Sequence, residues 1–509
     1  MGGVDMKNII KYTAILLSAF LTVSCSLEEG NDNFPVPSEF YSSLGECKAG
    51  VRGCYQPIRA IYAKDMMMAV ESVTDLMNAS GCATQDALLE ISPATARFGV
   101  TMWKQAYIGV RNTNMCIEGL ETTPVDSAKV APLLAEAKTL RAFYYYLLTS
   151  LFGDVPYYTD VIKDRKDLER IEKLPRMDAY ETRAKLVYEL QGCIAAFPEG
   201  RPYDLNTQHI GAAFCHMLIA KMAMWNKDWN TAEAALLKLR SNEFFGEYTR
   251  DRYPIEDNCF SAKNTPESIF EVQHTYTEGG LNVTTNLACY MMPHRGNGET
   301  DIYDGVQIPE LGKLATTYVG LRPNKYFYQN LMPKDSKDLR KSINLAWDYN
   351  GKAFNASKPW LGPKFWCWDM NKTYDSNNYP VFRYGDAVLM LAEVYNEQDG
   401  RMAEAIACLN EVRVRAGLDP IEGLASSKEA LLEEIQRERG RELLGEFQRK
   451  FDLVRWGVWY NQTYNNTDFA TVRANILHCH EYYPIPDEEV ALSDNNLDND
   501  AYKAELTTF

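Results

Sequence analysis

No apolar run in this sequence is long enough to cross a bilayer as a helix. The longest, Tyr12 to Val23, holds twelve residues, where about 20 are needed. Histidine is scarce, six residues in 509, and no His-Glu-x-x-His pair occurs, which removes the helical zinc-protease signature. The phosphate-binding Gly-x-x-x-x-Gly-Lys, the dinucleotide-binding Gly-x-Gly-x-x-Gly and the nucleophile elbow Gly-x-Ser-x-Gly are missing too. Cations fall short of anions, 53 against 69, for a net charge of −16. That balance excludes nucleic-acid binding through a general basic surface. Twelve cysteines include no Cys-x-x-Cys pair. Cys116, Cys193, Cys215 and Cys408 fall within helical patterns and read as small buried thiols. A disulfide framework belongs to small secreted domains, and this chain is not small.

What is present begins with an address. Lys7 and Lys11 flank the start of the Tyr12–Val23 run, which ends in small residues and Cys25. Its length fits a signal-peptide core. Cys25 stands where a bacterial lipoprotein carries its lipid, although Thr22 holds the position usually taken by Leu. Glu28-Glu29 resembles the acidic tag that sends such lipoproteins to the cell surface. The chain thus divides into a signal peptide over 1–24, a lipidated polar tether over 25–38, and a single folded domain over 39–509.

Within that domain the organising stretch is Pro132 to Pro156, predicted as one helix ending in a sharp turn. Leu133, Ala137, Leu140, Tyr144, Leu147, Leu148 and Leu151 repeat at three- and four-residue steps, an apolar stripe along one face. Pro132 suits a first helical turn. Gly153 suits a positive-φ stop, and Pro156 resists further helix. Four consecutive aromatics, Phe143 to Tyr146, demand partner helices on more than one side.

Those partners are predicted at 97–120, 179–197, 211–225 and from Trp229 onward, the last two as a hairpin across Asn226-Lys227-Asp228. Helices return at 382–398, 402–416 and 427–444, with Gly400 and Gly417 as punctuation. Between 250 and 378 the helical period fades into Gly, Pro, Asn and aromatics, with Ser268–Val272 as a short strand. Loops this long in a compact protein generally serve a function. Residues 65–81 read as loop around Asp75 and Asn78. Helix pairs of about 34 to 40 residues suggest degenerate tetratricopeptide-like units, so the fold class is mostly α: helical pairs over about 40–240 and 381–457 carrying a loop-rich half at about 250–380.

Several blocks carry a family likeness. Trp103-x-x-x-Tyr107 and Asn114 come first, then Glu136-Ala137-x-x-x-Arg141-Ala142-x-Tyr144-Tyr145 running into Leu151-Phe152-Gly153-Asp154-Val155-Pro156. Arg383-Tyr384, Ala392-Glu393 and Leu409-Asn410-x-Val412-Arg413-x-Arg415-Ala416-Gly417 follow. Glu438-Arg439-x-Arg441-Glu442 with Phe451-Asp452-Leu453-x-Arg455-Trp456-Gly457, and Tyr483-Pro484-Ile485-Pro486 with Asn496-Leu497 and Asn499, complete the order. With these the chain resembles the SusD/RagB family of outer-membrane nutrient-binding lipoproteins over essentially its whole length. It departs at Asp386 and across Leu443-Leu444-Gly445-Glu446. The resemblance implies a lipid-anchored protein at the outer membrane facing the exterior. It implies a lid on a SusC-like TonB-dependent barrel, capturing oligosaccharides or, as in RagB, peptides, with no catalytic residues, metal or cofactor. It also makes the motif arginines structural, joining helices by charge-assisted bonds.

Weaker chemical signals stand beside it. His478 and His480 share a face if that stretch is a strand, but nothing nearby completes a zinc set. Asp494, Asn496, Asp498, Asp500 and Glu505 have calcium-loop spacing without its turn glycine. A carboxylate pair for glycoside hydrolysis can always be found among 69 acids, so a glycosidase is the runner-up. Sugars pack C–H faces on aromatic rings and offer hydroxyls to planar polar groups. Loops with that composition hold Asp75 and Asn78, then Tyr290, His294, Arg295, Asn297 and Tyr303. Trp360 is next in line, and Trp366 is assigned to the core.

Overall fold

The computed structural model describes residues 40–79, 81, 84–198, 209–241, 244–277, 279–280, 282–296, 298, 300–423 and 427–506. Cys25 and Asn297 lie outside them. Helices dominate, in antiparallel neighbours: α1 Leu44–Gly53, α2 Gln56–Ile61, α3 Lys64–Val70, α4 Arg97–Thr122, α5 Ser127–Phe152, α6 Arg165–Glu172, α7 Ala179–Cys193, α8 Ala212–Trp225 and α9 Trp229–Arg240. After the loop-rich stretch come α10 Tyr384–Glu397, α11 Met402–Arg415, α12 Lys428–Glu442 and α13 Arg449–Arg455. Packing runs from α4 on α5 to α7, α8, α9 and α10, with α11 and α12 laid against α10. The predicted 211–225 hairpin and the late pair are both present. The first residues of the stretch 65–81, read as loop, belong to helix α3, whose Met66 to Val70 are all buried.

The organising helix starts earlier than its proline suggests. Asp126 caps α5 by accepting from the Ala128 N–H at 3.0 Å. Pro132 therefore sits in the second turn, where its missing N–H costs the bond to Ala128 O. Nor is α5 one-sided, since every residue from Thr139 to Phe152 is buried. Tyr144 donates to Cys54 O and Tyr145 to Tyr158 O, at 2.5 and 2.7 Å, so the rings are buried with their hydroxyls satisfied. Gly153 turns the chain out at φ +71°. Close approach of α4 to α5 needs Gly109, where a Cβ would fall 2.4 Å from the Tyr144 ring. Gly109→Ala is expected to cost about 1–3 kcal/mol by overpacking, read as a lowered urea midpoint.

Strand Ser268–Val272 pairs antiparallel with Tyr379–Arg383, and this ribbon joins the loop half to α10. Around it lies a buried ion network. Glu442 accepts from Arg340 at 2.7 Å, Arg383 at 2.9 Å, Arg415 at 3.1 Å and the Tyr248 hydroxyl at 3.1 Å. Arg383 also reaches Glu267 and Glu446, and Arg340 reaches Asp338 and Glu438. Arg141 pairs with Glu189, Arg439 with Asp452 and Arg455 with Glu393. The motif arginines are structural, as the family likeness implied. Both departures from the family pattern join this chemistry: Asp386 lies 2.7 Å from Lys221 and 2.8 Å from Arg439, and Glu446 holds Lys364 at 2.6 Å.

Glu71 behaves differently. Its Oε1 accepts the Gln448 and Arg449 N–H groups at the start of α13, but its Oε2 has no hydrogen-bond partner among the described residues. Burial pushes its pKa up to about 7, against the pull of those donors and of Arg449. A carboxyl raised above its unfolded value binds more protons in the folded state. Its contribution therefore falls as pH rises from about 4.5 to about 7. Glu71→Gln should flatten that decline, measured by chemical denaturation across the range.

Candidate functional site

In the loop half, five stretches are tied into one unit by backbone and buried polar groups. Met77–Asn78 pairs with Arg322–Pro323. Asn324, fully buried, donates to the carbonyls of Thr74, Asp75 and Met77 and accepts from Asn78 Nδ2 at 2.7 Å. Leu321 N donates to Tyr290 O and Tyr318 N to Cys289 O, at 2.8 and 2.7 Å. Asp304 is the fastening point. Its Oδ2 accepts from Trp360 Nε1 at 2.8 Å and Ala356 N at 2.9 Å, while its own N–H donates to His294 O at 2.7 Å.

On this unit opens a cleft of about 280 Å³, lined by Asn78, Arg322, Ser357, Lys358, Asp468 and Phe469 among others. The Arg322 guanidinium lies 3.7 Å over the Trp360 ring and donates to Lys358 O and Pro359 O at 3.0 Å each. Burial lowers its pKa, without approaching neutrality for a guanidinium. Lys358 and Asp468 pair across the mouth at 3.3 Å. Nearby in the same unit Tyr290 and Tyr318 set their rings 5.2 Å apart, Tyr318 47% exposed, with Lys64 Nζ 5.4 Å from the Tyr290 centroid. Flat rings beside amide, guanidinium, ammonium and carboxylate groups suit a polyhydroxylated ligand.

Of the ligand-contact residues predicted from sequence, those described (all but Asn297) lie on or against this unit, but several serve as its frame. Asp75 is fully buried in a bidentate pair with Arg449, at 2.8 and 2.6 Å, which takes it away from ligand. Tyr303 is also fully buried, its hydroxyl donating to Leu311 O and Gly312 O at 3.2 Å. Arg295 spends its guanidinium on the carbonyls of Ala315, Gly298 and Thr300. Trp360 is 4% exposed beneath Arg322. Asn78 lines the cleft, Tyr290 is half-buried beside Tyr318, and His294 is exposed. Trp366 is core, its Nε1 donating to Leu361 O at 2.9 Å. Sequence reading missed Arg322, Lys358 and Tyr318, and had no signal for Asp468 and Phe469, which arrive from more than a hundred residues downstream.

The other candidates have protein partners. His478 to Glu481 is a 3₁₀ turn rather than a strand, with His480 buried. Asp494 pairs with Lys173, Asp498 with Arg176, and Glu505 accepts the His478 N–H. Among the described residues no His, Cys, Asp and Glu grouping could hold a metal ion, and no helix is long and apolar enough to cross a membrane.

Two family models match the chain: the SusD family over residues 340–502, and "starch-binding associating with outer membrane" over 43–207. The chain belongs to the SusD/RagB family. This SusD-like chain is 24% identical to a SusD-like protein of Formosa agariphila, across 97% of this chain and 98% of that one. Its fold is similar to that of surface glycan-binding protein A from Bacteroides uniformis, with 22% identity, TM-score 0.71, and 90% and 100% of the two chains covered. The corresponding protein from Bacteroides thetaiotaomicron, solved in complex with laminarihexaose, gives 21% identity, TM-score 0.70 and 89% and 98% coverage.

Proposed function

We propose that this SusD-like protein is a cell-surface lipoprotein that captures oligosaccharides and delivers them to a SusC-like TonB-dependent outer-membrane barrel. The observation that carries this reading is the Asn78–Arg322 cleft with the Tyr290–Tyr318 rings, all on one loop unit. Support comes from the similarly folded protein solved with laminarihexaose. Binding, rather than turnover, is the role: the carboxylate at the cleft mouth, Asp468, is engaged by Lys358 and by the Lys325 N–H at 2.9 Å. No second acid among the named lining residues stands opposite it, as glycoside hydrolysis would require. The test is affinity electrophoresis and calorimetry of the mature protein against a panel of neutral oligosaccharides including laminarihexaose, with reducing-sugar release followed in parallel. Saturable binding without sugar release supports the reading. Steady release, or binding of peptides alone, overturns it.

Lipid anchoring is tested separately, in cells. Cys25→Ala should abolish retention in the outer-membrane fraction and leave the chain soluble, because the acyl chains supply the membrane affinity. Retention of the variant overturns anchoring at this residue.

A further inference from the structure

A second cavity, of about 310 Å³, lies between α1, α2 and the strand Ser268–Val272, and shares no lining residue with the loop cleft. Its floor is apolar, with Ile58, Phe270 and the Tyr55 ring. Arg52 and Arg59 line it from the last turns of α1 and α2. Both are exposed, and neither makes an ion pair among the described residues. In a chain carrying 16 excess negative charges, two such cations thus border one cavity.

Among the described residues, the acids near this cavity are already engaged. Glu136 accepts from the Tyr55 hydroxyl and lies 2.5 Å from His209 Nδ1. Glu271, the only carboxylate in the lining among the described residues, is buried and accepts from Asn264 N and Asn378 Nδ2, both at 2.9 Å. Burial pushes its pKa up, which weakens it further as a counter-charge. The field of Arg59 is felt nearby: burial first, then Arg59, brings the His274 pKa down to about 4. Placement in last helical turns favours arginine through the helix dipole, but gives no reason for both to border one cavity with an apolar floor. Two planar guanidinium forks are suited to a carboxylate or a sulfate ester, which each fork can bind with two parallel hydrogen bonds.

We infer that this cavity is a second binding site, taking an anionic group carried by a saccharide, either a uronate carboxylate or a sulfate ester. That the anion belongs to a saccharide rests on the function proposed above; the anion site itself does not. The experiment uses the mature protein and titrates four probes at low salt: an oligogalacturonide, a sulfated carrageenan oligosaccharide, inorganic sulfate and neutral laminarihexaose. At least one acidic oligosaccharide should bind, and Arg52→Ala/Arg59→Ala should weaken it about tenfold or more. The double variant should leave any laminarihexaose affinity unchanged. Raising the salt should weaken the acidic probe alone. The more sensitive of the two acidic arms identifies the anion. Arginine-dependent binding of sulfate alone upholds the anion site while overturning its saccharide assignment. Binding of no anionic probe, or undiminished acidic binding in a double variant that circular dichroism shows to be folded, overturns the site.

Discussion

Glu442→Ala should cost the folded protein at least about 3–5 kcal/mol, because it strips the shared carboxylate from three buried guanidinium groups. Arg340, Arg383 and Arg415 all reach it within 3.1 Å, and all are nearly or fully buried. An unfolding entropy near 2 cal/mol/K per residue gives a chain of this length about 1 kcal/mol/K, so melting as one unit would fall by about 3–5 °C. The pH dependence has a definite sign. Burial alone would raise the Glu442 pKa, but Arg415, Arg383 and Arg340 outweigh it and hold the carboxyl well below 4.5. A depressed carboxyl stabilises fully above its unfolded pKa and loses that contribution as pH falls through its folded value. The gap between wild type and Glu442→Ala should therefore be constant above about pH 5 and narrow in acid. Scanning calorimetry from pH 3 to 8 measures both; equal melting points at pH 7 would remove the network from the stability argument.

Tyr318→Ala and Tyr303→Ala should fail in opposite ways, although the residues lie only fifteen positions apart. Tyr318 is 47% exposed beside Tyr290. Its loss should weaken glycan affinity by roughly 5- to 150-fold, taking about 1–3 kcal/mol for one stacking ring, at little cost to the fold. Tyr303 is fully exchanged from water into a second apolar cluster with Met292, Val306, Ile308 and Trp366. Removing it opens a cavity, with a destabilisation of about 3–5 kcal/mol on the scale of large aromatic truncations. Calorimetric titration and thermal melts on both variants separate the two. Unchanged affinity in folded Tyr318→Ala and Tyr290→Ala would move the site to the Arg322–Lys358 cleft, tested by Arg322→Ala.

The contrast also explains how far the sequence could be read. Helices were legible because their apolar positions repeat and their ends carry marks such as Gly153, Gly400 and Gly417, all at positive φ. The family blocks were legible as strings because their arginines and glutamates are held in buried ion pairs and hydrogen bonds. The misplaced start of α5 shows the limit: Asp126, a good cap, outweighed a proline that looked like a beginning. For the site, composition pointed to the right loops but not to the right side chains. Tyr290 and Tyr303 look alike in a row of letters. Their difference arises from Leu311 and Gly312, whose carbonyls draw one hydroxyl inward, and from Tyr318, whose ring tilts against the other at 5.2 Å. Neither contact has a local periodicity. Phe469 and Asp468 reach the cleft from beyond α13, a distance no short motif encodes.

Asp304 has a bearing on how such a protein changes over generations. It fastens the loops through an indole and backbone N–H groups that face inward, and Arg322 grips Lys358 by its carbonyl rather than its ammonium. Ser357, Lys358, Tyr318 and His294 stand exposed around this frame, so their side chains are free to vary one at a time without unfastening it. Under the function proposed above, mutational drift can then explore new cargo on an unaltered support, while changes at Asp304 or Trp360 would unfasten it.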